Sequence, residues 1–162
     1  MSEHTVYLAL GTNLGDRRAN LLAALAGLES FSRVKIISSI YETAPWGYAD
    51  QPDFYNMAAM LSTALAPRDL LDALKSLEKA LGRVTAVRYG PRMIDLDILL
   101  YDDIILNTPE LTIPHPLMEG RAFVLLPLAE IASDFCVPGL NATVADLLQA
   151  VSTEDVVKVG VL

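Results

Sequence analysis

Short apolar runs rich in β-compatible residues alternate along the chain with longer stretches in which leucines recur at helical spacing. Val6-Tyr7-Leu8-Ala9-Leu10 is apolar throughout and ends at Gly11-Thr12-Asn13-Leu14-Gly15, a strand running into a turn. Leu14, Leu21, Leu22, Leu25 and Leu28 then share one face, which predicts an amphipathic helix over about residues 15–30. Residues 34–41 are rich in β-branched side chains and read as a strand. Residues 42–53, with Pro45, Gly47 and Pro52, read as a loop, and residues 54–65 as a second long strand paired with the first. Pro67 suits the first turn of a helix with a stripe of Leu70, Leu71, Leu74, Leu77 and Leu81, closed by Gly82. Glu78 interrupts that stripe and lies either at the solvent margin or turned toward a ligand. Beyond Gly90-Pro91, residues 93–101 read as a strand, residues 104–106 as a short return, and residues 121–132 and 143–150 as two further helices.

The order β-α-β-β-α-β is the ferredoxin-like split arrangement, an α+β fold with an antiparallel-rich sheet, helices on one face and a C-terminal helical extension. Residues 1–162 carry no repeat, low-complexity tract or linker, so a single domain is expected. That architecture hosts many unrelated activities, so function has to come from particular residues.

At 52% hydrophobic and 20% charged residues, the composition is that of a compact soluble protein. No apolar run approaches the roughly 20 residues that span a bilayer, and residues 1–5 lack the basic start of a signal peptide. The one cysteine, Cys136, sits in an apolar stretch and reads as a small buried hydrophobe, so a reducing cytoplasm is expected. A net charge of −8 argues against a nucleic-acid or anionic-membrane partner. Between residues 83 and 121, however, the only Lys or Arg side chains are Arg83, Arg88, Arg92 and Arg121. They are either solvated or gathered around a small anion.

The stretch Arg88-Tyr89-Gly90-Pro91-Arg92-Met93-Ile94-Asp95-Leu96-Asp97-Ile98-Leu99 bears most directly on chemistry. On a strand, Asp95 and Asp97 project from one face and Ile94, Leu96 and Ile98 from the other. Adjacent carboxylates repel unless solvated on an exposed face or bridged by a cation. Magnesium suits such a pair, because it takes a few carboxylate oxygens and completes its octahedron with water and phosphates. Arg92, just after the Gly-Pro turn, favours the second reading, since guanidinium groups fork onto phosphate oxygens. Neither a Walker A loop nor a kinase catalytic loop is present.

Downstream, His115 stands between two prolines and either donates to a phosphate or serves structurally. Arg121 and Phe123 follow it. The long loop ends in Gln51-Pro52-Asp53-Phe54-Tyr55-Asn56. An Asn offers donor and acceptor to the edge of a pterin or purine, and Phe54 and Phe123 are either stacking faces or core.

Taken together, these motifs closely resemble the signature of the 6-hydroxymethyl-7,8-dihydropterin pyrophosphokinase family. The resemblance rests on Arg-Tyr-Gly-Pro-Arg-x-x-Asp-Leu-Asp-Ile-Leu, Gly11-Thr12-Asn13-Leu14-Gly15 and Tyr41-Glu42-Thr43-Ala44-Pro45. The Gln51 motif, Ile113-Pro114-His115-Pro116 and Arg121-x-Phe123-Val124-Leu125-x-Pro127-Leu128 complete it, over about residues 7–131. The resemblance implies transfer of the ATP diphosphoryl group to the pterin hydroxymethyl oxygen, releasing AMP, with two magnesium ions on Asp95 and Asp97. It implies phosphate contacts from Arg83, Arg92, His115 and Arg121, with Glu78, Ile98, Leu111 and Thr112 around the nucleotide. It implies a pterin between the rings of Phe54 and Phe123, its edge read by Asn56 and the backbone from Thr43 through Ala44 and Pro45 to Trp46, with Asp95 near the hydroxymethyl group. Catalysis would rest on Arg83, Arg92, Asp95 and Asp97, and the partners would be small molecules.

The chain departs from the pattern in two places. Residues 84–88 lack the extra basic residues some members carry, and Tyr89 replaces a Trp, in a loop that in the family closes over ATP. The site is expected to survive with altered closure, and Arg83 and Arg92 to act mainly after ATP binds, so that loss of Arg92 cuts turnover more than nucleotide binding. Two other readings fit the twin acids: a magnesium-dependent nucleotidyltransferase, and a non-catalytic small-ligand-binding module.

Overall fold

A computed structural model describes residues 2–45, 50–82 and 93–162. Strand β1 (His4–Thr12) leads into helix α1 (Arg17–Leu28), capped by the Asp16 carboxylate on the Ala19 N–H. Strands β2 (Arg33–Ile37) and β3 (Ile40–Thr43) follow, then β4 (Phe54–Thr63), α2 (Pro67–Ala80) and β5 (Asp95–Tyr101). The sheet runs β10-β3-β4-β1-β5, with β2 also on β4, and all its pairings are antiparallel. Apart from β10, this is the β-α-β-β-α-β order expected, with the long second strand delivered in two pieces.

That break has a local cause. The buried residues Ser38 and Ser39 compete with the ladder: the Ser38 hydroxyl accepts from Ala58 N–H, and Ser39 N–H donates to the Glu130 carboxylate. The chain bends there and resumes as β3, which takes in Glu42 and Thr43, positions the loop signals had assigned to the loop.

One face of the sheet packs Val6, Leu8, Leu10, Leu96 and Ile98 against Leu21, Ala24, Leu28, Leu70 and Leu74 of α1 and α2. Leu22 lies off that stripe, 51% exposed, and Gly82 adopts the left-handed conformation (φ 94°) that ends α2. The other face packs Tyr7, Ala58 and Leu99 against α3 (Ala122–Ala132) and α4 (Val144–Gln149), so the extension covers the second side. A sheet covered on both sides accounts for the unbroken apolar run of β1.

The short return after β5 pairs elsewhere: β6 (Leu106–Asn107) joins β7 (Thr112–Ile113) in a hairpin. Cys136 is exposed, not buried; it lies in the small β8–β9 ribbon (Cys136–Val137 with Ala142–Thr143), on the side away from buried Val137. The tail forms β10 (Val156–Gly160) along β3, with Val156 opposite Thr43. No helix among the described residues is long and apolar enough to cross a membrane.

Candidate active site

The site begins with the register of three neighbouring strands. Gly11 of β1 lies opposite Asp95 of β5 on one side and Asn56 of β4 on the other; Ala9 lies opposite Asp97. Residues directly opposite share a face, so Asn56, Gly11 and Asp95 form a row on the α3 side of the sheet. Asp95 and Asp97 are half-buried while Ile94, Leu96 and Ile98 are buried beneath, the alternation expected of the twin acids. Gly11 leaves that row open: a Cβ there would come into ordinary contact with Asn56 Oδ1 at 3.4 Å and Phe54 Cδ1 at 3.8 Å.

Two contacts fix the strand that carries the acids. Thr12 Oγ1 donates to the Met93 carbonyl at 2.5 Å, two residues before Asp95. From the opposite side, the Glu78 carboxylate accepts from the Leu96 N–H at 2.7 Å, between the two acids. Glu78 is buried, 3% exposed, so the solvent-margin reading is wrong; its Oε2 grips the backbone of β5.

His115 is held by its own N–H on the Leu99 carbonyl (3.0 Å), and its Nδ1 accepts from Leu117 N–H (3.1 Å). With Nδ1 an acceptor, the neutral ring carries its proton on Nε2 and can donate there. Burial, reinforced by the Arg121 charge and opposed by Asp95, pushes the His115 pKa below its usual 6.5. The charges of Arg121 and Asp95 thus both reach His115. The Arg121 guanidinium carbon sits 5.6 Å from the Phe123 ring centre.

Thr43, Ala44, Pro45, Arg121 and Phe123 line a shared cavity of about 450 Å³, which also reaches Asp155 near the start of β10. Asn56 is buried, and its Nδ2 has no hydrogen-bond partner. A buried amide donor left unpaired costs about 1–3 kcal/mol, and a ligand acceptor would relieve that cost. Phe54 and Phe123 are half-buried, with surface left to face a ring. Leu111 packs against the core that holds Ile98, and Thr112 opens β7. Arg83, Arg92, Arg88, Tyr89 and Trp46 lie outside the described residues.

Some contributors went unread in the sequence. Asn13 Nδ2 donates to Gln51 Oε1 (2.8 Å) and the Pro52 carbonyl (2.9 Å), fastening the first turn to the long loop. Glu130 of α3 accepts from Ser39 and from the Tyr41 hydroxyl. The first belonged to a quoted motif without a role; the second lies 91 residues from its serine and has no local signal.

Comparison with known proteins places the chain in a family. The family model described as 7,8-dihydro-6-hydroxymethylpterin-pyrophosphokinase matches residues 7–133. The chain is 49% identical over 135 residues to the 2-amino-4-hydroxy-6-hydroxymethyldihydropteridine pyrophosphokinase of Pseudomonas aeruginosa, covering 82% of this chain and 83% of that one. It is 48% identical over 138 residues to the folic acid synthesis protein FOL1 of Dictyostelium discoideum, matching 85% of this chain but spanning 21% of that longer protein. The crystal structure of wild-type Plasmodium falciparum HPPK-DHPS with STZ-DHP shares the fold, with a TM-score of 0.74 at 18% identity over 92% of this chain and 43% of that one. With the family model matching most of the chain and a relative of nearly equal length 49% identical to it, the chain belongs to the 7,8-dihydro-6-hydroxymethylpterin-pyrophosphokinase family.

Proposed function

We propose that this chain transfers the diphosphoryl group of ATP to the hydroxymethyl oxygen of 6-hydroxymethyl-7,8-dihydropterin, yielding AMP and the pterin methyl diphosphate for folate synthesis. The observation that carries the reading is the buried Asn56 Nδ2, which has no hydrogen-bond partner and lies on the same face as the twin acids and in the same cross-strand row as Asp95.

In the reaction the alcohol oxygen attacks the β-phosphorus in line, and the bridging bond to the α-phosphate breaks with its electron pair leaving on AMP. The hydroxyl proton is lost to solvent or to a nearby acceptor. Such a transfer depends on positioning and charge neutralisation more than on a strong base. Asp95 and Asp97 fit a pair of magnesium ions: two carboxylates supply a few hard oxygens and leave the remaining positions to water and phosphate. When bound, magnesium would neutralise triphosphate charge. His115, with Nε2–H available, and Arg121 would hold phosphate oxygens; Arg83 and Arg92 would join them as the loop closes. Glu78 would serve the nucleotide side through β5, next to Ile98, Leu111 and Thr112. Phe54 and Phe123 would stack on the pterin, and Asn56 with the backbone of residues 43–46 would read its edge. Residues 1–162 would act as one domain on these small molecules.

Incubation with ATP, magnesium and the pterin alcohol should release AMP without pyrophosphate. Pyrophosphate release would instead indicate nucleotidyl transfer, and neither product would indicate a binding module.

A further inference from the structure

We infer that Arg17 is a positioning residue that clamps the base of the 44–53 loop and so shapes the pterin slot. The inference rests on the proposed function for its substrate, but its geometry stands apart. Arg17 is the first residue of α1, where a cation works against the helix dipole that the Asp16 cap beside it favours. Its guanidinium is instead spent on the loop. Nη1 donates to Glu42 Oε2 at 2.8 Å and to the Asp53 carbonyl at 2.9 Å, and its carbon sits 3.8 Å over the Tyr55 ring centre.

These contacts fall on both stems of one loop. Glu42 precedes Thr43 on the outgoing strand, and Asp53 precedes Phe54 on the returning one. Thr43 and Phe54 are themselves the closing pair, followed by Glu42 opposite Tyr55. One side chain thus touches the neighbours of the proposed edge-reading backbone and of the proposed stacking ring. The pair with Glu42 is partly solvated, with side chains 27% and 32% exposed, so it adds little to global stability. Its effect should lie in where Thr43 and Phe54 are held.

Steady-state kinetics in both substrates, with hydrogen exchange on the free protein, test the clamp. Arg17→Ala should raise KM for the pterin alcohol about ten-fold, with KM for ATP and the melting temperature near wild type. Arg17→Lys keeps the charge but loses the planar group over Tyr55, and should restore part of the effect. Without substrate, amide exchange at residues 42–43 and 53–55 should quicken in Arg17→Ala. An unchanged pterin KM, equal rises in both KM values, or unaltered exchange would overturn the inference. If the wild-type protein forms no AMP from the pterin alcohol, the proposed function fails instead, and the exchange comparison still decides whether Arg17 clamps the loop.

Discussion

In the proposed function the site has a phosphate half and a ring half, and the two are built on different principles. The phosphate half is carried by one strand: Asp95 and Asp97 stand two residues apart, and Glu78 and Thr12 anchor the backbone around them. The ring half is assembled from four places: Thr43 on β3, Phe54 and Asn56 on β4, Gly11 on β1, and Phe123 at the start of α3. A charged site needs carboxylates close together, which a strand supplies by its repeat alone. A slot for a flat ring needs walls at a set spacing, and only tertiary contacts supply that. The acids should therefore govern turnover, and the slot should govern affinity for one substrate.

The largest effect expected is at the acids. Replacing both Asp95 and Asp97 by Asn should lower AMP formation by on the order of a thousandfold or more and abolish magnesium-dependent uptake of ATP in calorimetry. Retention of either would break the assignment of that half. A smaller and more selective loss is expected in the slot. Asn56→Ala should raise KM for the pterin alcohol by roughly ten- to hundredfold, the worth of about 1–3 kcal/mol, and leave KM for ATP within about two-fold. A matching rise in both would show that the halves are not separable.

The smallest effect concerns the scaffold under the slot. Burial disfavours ionised Glu130, yet hydrogen bonds from Tyr41 and Ser39 and the nearby Lys158 hold its pKa below the ordinary 4.5. A depressed carboxyl contributes stability that is complete above its unfolded value and lost as pH falls through the folded one. Glu130→Gln should therefore remove part of the acid sensitivity of unfolding below about pH 4.5, with AMP formation at neutral pH little changed. Coincident acid-unfolding curves for the two proteins would contradict this. In the same cluster the Tyr41 hydroxyl is pushed up to about 12, chiefly by burial and then by the Glu130 carboxylate.

The same division explains what the sequence makes legible. The helix stripes (apart from Leu22), Gly82 as a helix terminator and the opposed faces of residues 94–98 depend on contacts within a few turns or a strand repeat, and these are found in the fold. The bend at Ser38 and Ser39 depends on Glu130, which only the packing of α3 brings there. Glu78 follows a similar logic: spacing shows that it interrupts an apolar stripe, but its partner, the Leu96 N–H, is met only once α2 lies along β5. The exposure of Cys136 was hidden because apolar neighbours say nothing of which side of a two-residue ribbon a side chain takes. Nor does the composition of the tail reveal that β3 offers it a free edge.

Glu130 has a mechanical consequence. It couples the helix whose first turn carries Phe123 to the strand that ends in Thr43, through bonds to Ser39 and Tyr41. A sideways shift of that helix would drag the strand with it, so two opposed surfaces of the cavity would travel as one jaw. The ladder that runs from β3 through β4 and β1 to β5 resists any such shift, so the opening keeps both its width and its distance from the carboxylates.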